Sequence, residues 1–248
     1  MIRAFGVSLC LLMSVAAKAD DAPPIAVPYY EYPPKMVIVN GVPTGSYIDT
    51  WKAIAERAGV QLEWMPSSIS EETAMLDRGT RPMCNTGRLM TEERRKTWVF
   101  LPYVYDWLAE DVIVTSPAFR QRIAAHPHLR DLLTDTSLHP TFVGGLAIGE
   151  GVEGAKANRS HWRDLDVKSE AQAVRMVGAG RADYTLSNAD QFAEAVRDDP
   201  ALGKLVTLRL PGMYPRTPVS IACTRGTPPA LIEAIGKAMQ ELGYVPAP

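Results

Sequence analysis

The chain has 248 residues, with 26 Lys and Arg against 28 Asp and Glu, 46% hydrophobic residues and 22% charged ones. That length holds one large domain or two small ones, and the composition is that of a globular chain with an ordinary core, not a repeat array or a disordered tail. A formal net charge of −2 supplies no basic surface, so no nucleic-acid partner is expected.

The first residues read as an export signal. Arg3 is the positive start, 7–16 an apolar run too short to span a bilayer, and Ala17-Lys18-Ala19 a cleavage pattern ahead of Asp20. Cleavage is expected after Ala19. A lipid anchor would need a cysteine at the cleavage point, whereas Cys10 lies inside the apolar run. Removing 1–19 takes out Arg3, Lys18 and no acid, leaving 24 basic residues against 28 acidic ones, a net charge of −4, and two cysteines, Cys84 and Cys223.

From 20 onward the pattern alternates. Residues 25–30 read as a strand and 47–58 as a helix with Ile48, Trp51, Ile54 and Ala58 on one face and Gly59 as its stop. A strand over 60–64, a helix over 70–78 ending at Gly79, and a buried strand over 83–86 follow. Strand, helix, strand, helix, strand is the signature of a parallel sheet in an α/β domain. Gly87 then opens a loop, and Thr91 caps a helix whose first turn carries Glu92, Glu93 and the cation Arg94. A strand end, a polar loop and a helix start bring backbone N–H groups and Arg94 around one point suited to an anion. The plainer alternative is that Arg94 pairs with Glu93 or a neighbouring surface acid. Beyond the cluster Phe100, Pro102 and Tyr103 the pattern restarts, with a strand over 111–115 and a helix opened by Ser116-Pro117. The apolar run 141–148 then breaks into the loop Gly149-Glu150-Gly151. Ser169-x-x-Gln172 is a capping box for a helix packing Ala173, Met176 and Val177. A strand over 182–186 leads to a helix begun by Asn188 that buries Ala189, Phe192 and Val196. The run 205–210 leads back to a last helix with Thr227 as cap, Pro228 at N1 and the stripe Ile232, Ile235, Met239, Leu242.

Four segments carry a family resemblance: Gly45-Ser46-Tyr47-Ile48-Asp49, Asn85-Thr86-Gly87, Thr91-Glu92-Glu93-Arg94 and Phe100-Leu101-Pro102-Tyr103. In this order and spacing the chain resembles the type II periplasmic solute-binding proteins of ABC importers, solute-binding protein family 3. The resemblance implies a two-domain periplasmic-binding-protein-like α/β fold, type II, joined by a two-strand hinge with the ligand cleft between the domains. Domain 1 would comprise 20–108 and 206–248, and domain 2 would be 109–205. It further implies a periplasmic, soluble monomer that takes a small-molecule ligand, serves the membrane permease of an ABC importer and needs no cofactor. An even pair of cysteines in an oxidising compartment, in two β-like runs that the family fold places in one domain, points to a Cys84–Cys223 disulfide; two buried free thiols are the alternative.

The family also implies ligand contacts. Its Thr-x-x-Arg arginine clamps an α-carboxylate, a role that falls to Arg94, whose planar fork matches two oxygens. Tyr29, Tyr30 and Tyr32 follow the first strand, and Tyr32 aligns best with the family's ligand-packing aromatic. Asn85, Thr86 and Gly87 stand beside the arginine, Gly149 and Glu150 face it from the second domain, and Asn188 stands opposite. Two departures matter. After Gly180-Arg181-Ala182-Asp183 the family's ammonium-accepting acid is replaced by Ser187 or Asn188, and at a usual serine contact the chain has Gly87 or Leu89, with Arg88 adding positive field. The ligand is therefore expected to carry a carboxylate or comparable anion without being a simple α-amino acid.

The rival reading is an enzyme on the same scaffold, similar to cyclohexadienyl dehydratases, for which Glu150 is the one acid that can be named. No Ser-His-Asp or Cys-His arrangement appears, so no catalytic residue is assigned. His126-x-His128 lacks partners for a metal, and none is expected. A third reading, a ligand-loaded partner of a periplasmic sensor, shares every feature above.

Overall fold

The computed structural model describes residues 24–147, 149, 160–163 and 167–248. The expected signal at 1–19 lies outside them. In the first half, β1 (Ile25–Tyr29) is buried along its whole length, as a strand covered on both faces must be. A hairpin, β2 (Val37–Val39) and β3 (Val42–Thr44), turns through Asn40-Gly41 with positive φ at both residues, the geometry that favours an Asn-Gly pair. α1 (Ser46–Ala58) buries Tyr47, Ile48, Trp51, Ile54 and Ala55 on one face and stops at Gly59 in the left-handed conformation. β4 (Leu62–Pro66) pairs in parallel with β1, Ile25 opposite Leu62. α2 (Ile69–Arg78) is capped by Ser68, where a reciprocal capping box with Glu71 starts it one residue earlier than expected, and it ends at Gly79.

The parallel order holds, but the strand expected over 83–86 shrinks to two bridges: Ala26 to Met83 in parallel and Cys84 to Cys223 antiparallel. The cause is Asn85, whose Oδ1 accepts from Gly87 N at 3.0 Å and Ala222 N at 2.9 Å. This local turn lifts the chain out of the sheet. Gly87 has φ +105, and a Cβ there would meet the Tyr105 ring at 2.9 Å, so only glycine fits. β5 (Arg88–Leu89), α3 (Glu92–Arg95), β6 (Val99–Phe100) and β7 (Asp106–Leu108) follow.

The second half is built on a three-stranded antiparallel sheet. β8 (Asp111–Thr115) lies at its centre. Its alternation sets the layers: Ile113 packs with Ile123, Leu129, Leu132, Leu133 and Tyr184, while Val112 and Val114 pack with Val174, Val177, Ala195 and Leu205. The helices on the Ile113 face are α4 (Pro117–Ala124) and α5 (Leu129–Thr134), and on the other face α6 (Glu170–Gly178) and, after β9 (Tyr184–Asn188), α7 (Ala189–Asp198). α7 buries Gln191 and Ala195, and Ala189, Phe192 and Val196, half-buried, pack against the same cluster as Ala195. Residues 141–147 form neither strand nor helix.

β7 leads through 109–110 directly into β8, and β10 (Val206–Leu208) pairs with β8 before the chain turns back. The returning strands β11 (Thr217–Ser220) and β12 (Ala222–Cys223) pair with β5, β7 and β6, and α8 (Pro229–Glu241) packs on α1. Thr227 does not cap α8. Its hydroxyl lies 3.2 Å from Met83 N and 3.0 Å from Thr224 Oγ1, leaving Pro228 as the N-cap, and Leu242 is 44% exposed, outside the stripe. Cys84 and Cys223 form a disulfide.

Candidate functional site

Where the two domains face each other they enclose a cavity of about 80 Å³, room for roughly five to eight waters or one small solute. The strand ends of β1 and β9 and the loop leading to β5 all open into it, as carboxyl ends of sheets do in folds of this kind. Its first-domain side is aromatic and cationic. Tyr30, Tyr32 and Tyr47 form a row of ring contacts, the first edge-to-face and the second tilted, with centroids 6.5 and 6.2 Å apart. Burial pushes Tyr30 up to about 12 and raises Tyr32 and Tyr47 as well, so all three keep their protons.

Two arginines stand among them. Arg94 lies at the start of α3, where Thr91 Oγ1 accepts from its backbone N–H at 3.2 Å. Its guanidinium donates to Leu89 O at 3.3 Å and Gly145 O at 3.0 Å and lies 4.7 Å over the Trp98 ring, which fixes its plane. Arg88 is nine-tenths buried, 3.0 Å from the buried Glu72 and 2.5 Å from Tyr30 Oη. Burial raises the Glu72 carboxyl, and Arg88 beside it pulls it back.

The opposite side is acidic, and its acid was missed in the sequence. Ser187 and Asn188 do line the cavity, but Ser187 Oγ at 2.6 Å and Asn188 N at 3.0 Å both donate to Glu170, which is buried and reaches the cavity from the first residue of α6. The expectation of a side without an acid therefore fails. Read along the chain, Glu170 is only a first-turn acid behind the cap Ser169; packing of α6 on β9 carries it to the site. Burial raises the Glu170 carboxyl, and its two donors oppose that. Asp111, the first residue of β8, also lines the cavity. It is pushed up to about 7, first by burial and then by Glu170, with Tyr214 and Arg209 pulling the other way.

The two sides touch at their edges. Asn188 Nδ2 donates to Tyr32 Oη at 3.2 Å, Gln191 Nε2 to Pro33 O at 2.7 Å, and Arg94 to Gly145 O across the other edge. Of the residues singled out in the sequence, Tyr30, Tyr32, Gly87, Arg88, Leu89, Arg94, Ser187 and Asn188 come together around the cavity. Asn85 and Thr86 are fully buried behind it and shape the loop. Gly149 packs against Gly212 instead, and Glu150 lies outside the described residues.

A family model described as bacterial extracellular solute-binding proteins, family 3, matches residues 25–243. Solved structures agree in fold. The arginine-, lysine-, histidine-binding protein ArtJ from Geobacillus stearothermophilus has a TM-score of 0.68 at 16% identity, covering 89% of each chain. Holo ArgBP from T. maritima has a TM-score of 0.65 at 22% identity over 88% of this chain and 89% of that one. A histidine kinase sensor domain with similarity to periplasmic binding proteins has a TM-score of 0.66 at 20% identity, covering 90% and 93%. No curated protein sequence matches the chain.

Proposed function

The chain belongs to the bacterial extracellular solute-binding proteins, family 3, and from that premise we propose that it captures a small dipolar solute, an amino acid or close analogue, in the interdomain cleft. One observation carries the reading: the two sides of the cavity bear opposite charge, Arg94 and Arg88 on one, Glu170 and Asp111 on the other. A carboxylate suits the fork of Arg94, and an ammonium suits the carboxylate of Glu170. The edge contacts from Asn188, Gln191 and Arg94 support closure of the domains around the solute. Delivery to the permease of an ABC importer, a monomeric state, export by the signal at 1–19 and binding without catalysis are part of this proposal. So is a second domain that begins at 109. The expected result is saturable calorimetric binding of one or more free amino acids. At about 100 times Kd, bound solute adds about 2.7 kcal/mol to stability, visible as a thermal shift. Turnover of prephenate or arogenate without saturable amino-acid binding would reject the reading.

Asp111 adds a pH dependence of definite sign. Its folded pKa, about 7, lies above the unfolded carboxyl value near ~4, so the folded chain holds a proton there that the unfolded chain releases. Stability of the free protein is therefore expected to fall as pH rises from about 4 to about 7 and then level off. Affinity for an ammonium-bearing solute rises over the upper part of that window as Asp111 gains its charge. Melting curves and calorimetry from about pH 5 to about pH 8, with Asp111→Asn alongside, check both slopes; slopes that survive the substitution assign them elsewhere.

A further inference from the structure

We propose that Arg88 and Tyr30 form a second anchoring point in the cleft, distinct from Arg94, that receives a second acidic group of the solute. The inference rests on the dipolar-solute reading and names its class: an acidic, two-carboxylate zwitterion. Arg88 is nine-tenths buried, lines the cavity and has five N–H donors. Nη1 donates to Tyr30 Oη, and Nη2 stands 3.0 Å from Glu72, but Nε has no acceptor in the described structure. A buried guanidinium edge without an acceptor is a place where an incoming oxyanion gains more than it would in water. Tyr30 adds to it. Its oxygen already accepts from Arg88, so its own O–H is left to donate into the cavity it lines. Burial keeps that phenol neutral, with its pKa near about 12. Glu72 reaches Arg88 from α2 and does not itself line the cavity.

The arrangement separates the tasks of the two arginines. Arg94 bridges the domains through Leu89 O and Gly145 O and stacks on Trp98, so it positions one carboxylate at the closing edge. Arg88 lies deeper, under Tyr30, where a side-chain carboxylate of a short amino acid would arrive once its ammonium is at Glu170.

L-glutamate, L-glutamine and L-arginine serve as probes in calorimetry on the wild-type chain, on Tyr30→Phe and on the double variant Arg88→Met with Glu72→Met, which removes both buried charges together. The expected result is wild-type binding of L-glutamate at least tenfold tighter than L-glutamine, a ratio that falls to about one in the double variant, and a severalfold loss for L-glutamate in Tyr30→Phe. An unchanged ratio in a folded double variant overturns the proposal, as does wild-type preference for L-glutamine or L-arginine. Should the double variant not fold, an unaltered L-glutamate Kd in Tyr30→Phe overturns it. Binding of L-arginine alone rejects this site while leaving the dipolar-solute reading intact, whereas binding of no probe rejects both.

Discussion

Replacing Cys84 and Cys223 together by alanine is expected to lower the unfolding free energy by on the order of 2 to 5 kcal/mol. The two cysteines are 139 residues apart, so the bridge closes most of the described chain into one loop. In the chain-entropy model a loop of that size restricts the unfolded chain by about 5 kcal/mol, and the model-dependence of that account sets the lower bound. For a chain of this length the loss corresponds to a fall in melting temperature on the order of 10 °C. The effect should reach the site as well. Cys84 immediately precedes Asn85, whose side chain holds Gly87 and Ala222, and that loop delivers Arg88 and Arg94 to the cavity. Both cysteines are fully buried, so reductant acts only after unfolding and the native protein should resist it. Scanning calorimetry of the double variant against wild type, with and without reductant during the scan, checks this. A melting temperature within about 2 °C of wild type would show that the bridge contributes little.

Much of the first domain was legible because its signals are local. The stripe of α1, the glycines at 59 and 79 and the cap at Thr91 act through residues within one or two turns, and the structure keeps each of them. The strand over 83–86 was misjudged because a side chain, Asn85, competes with the ladder for backbone donors, and the apolar run Met83-Cys84 gives no sign of it. Thr227 looked like a cap and is a tie to Met83, 144 residues away in sequence. The site divides in the same way. Arg94, Tyr32, Gly87 and Asn188 sit at strand ends and helix starts, where spacing finds them. Glu170, Glu72 and Asp111 acquire their roles only when α6, α2 and β8 are packed, and an acid's sequence neighbours do not say what it will face. A weak signal was available for Glu170: an acid in the first turn directly after the cap, on a helix whose apolar face seats it against β9.

Glu170→Gln is expected to weaken binding of an amino acid by about tenfold to a hundredfold while leaving its deaminated analogue nearly untouched. The substitution keeps the shape and the acceptor oxygen that Ser187 Oγ and Asn188 N–H use, so the local structure survives. What it removes is the charge opposite the ammonium, a charge-assisted hydrogen bond worth roughly 1.5 to 3 kcal/mol. Arg94 gives the converse pattern and the larger effect. Arg94→Ala leaves a carboxylate desolvated without its partner, a loss of roughly 2 to 5 kcal/mol or more, and it strips the bond to Gly145 O from the closing edge. Arg94→Lys retains the charge but loses the two-pronged fork and the stack on Trp98, so it recovers only part of the affinity. The two residues stand on opposite sides of the cavity, so their effects on an amino acid should add within about 0.5 kcal/mol. Calorimetry of the single and double variants against an amino acid and its deaminated acid separates the cases. Strong coupling between the two substitutions would mean that they act through closure of the cleft and not as two ends of a ligand clamp, and equal losses for both compounds in Glu170→Gln would remove the acid from ammonium recognition.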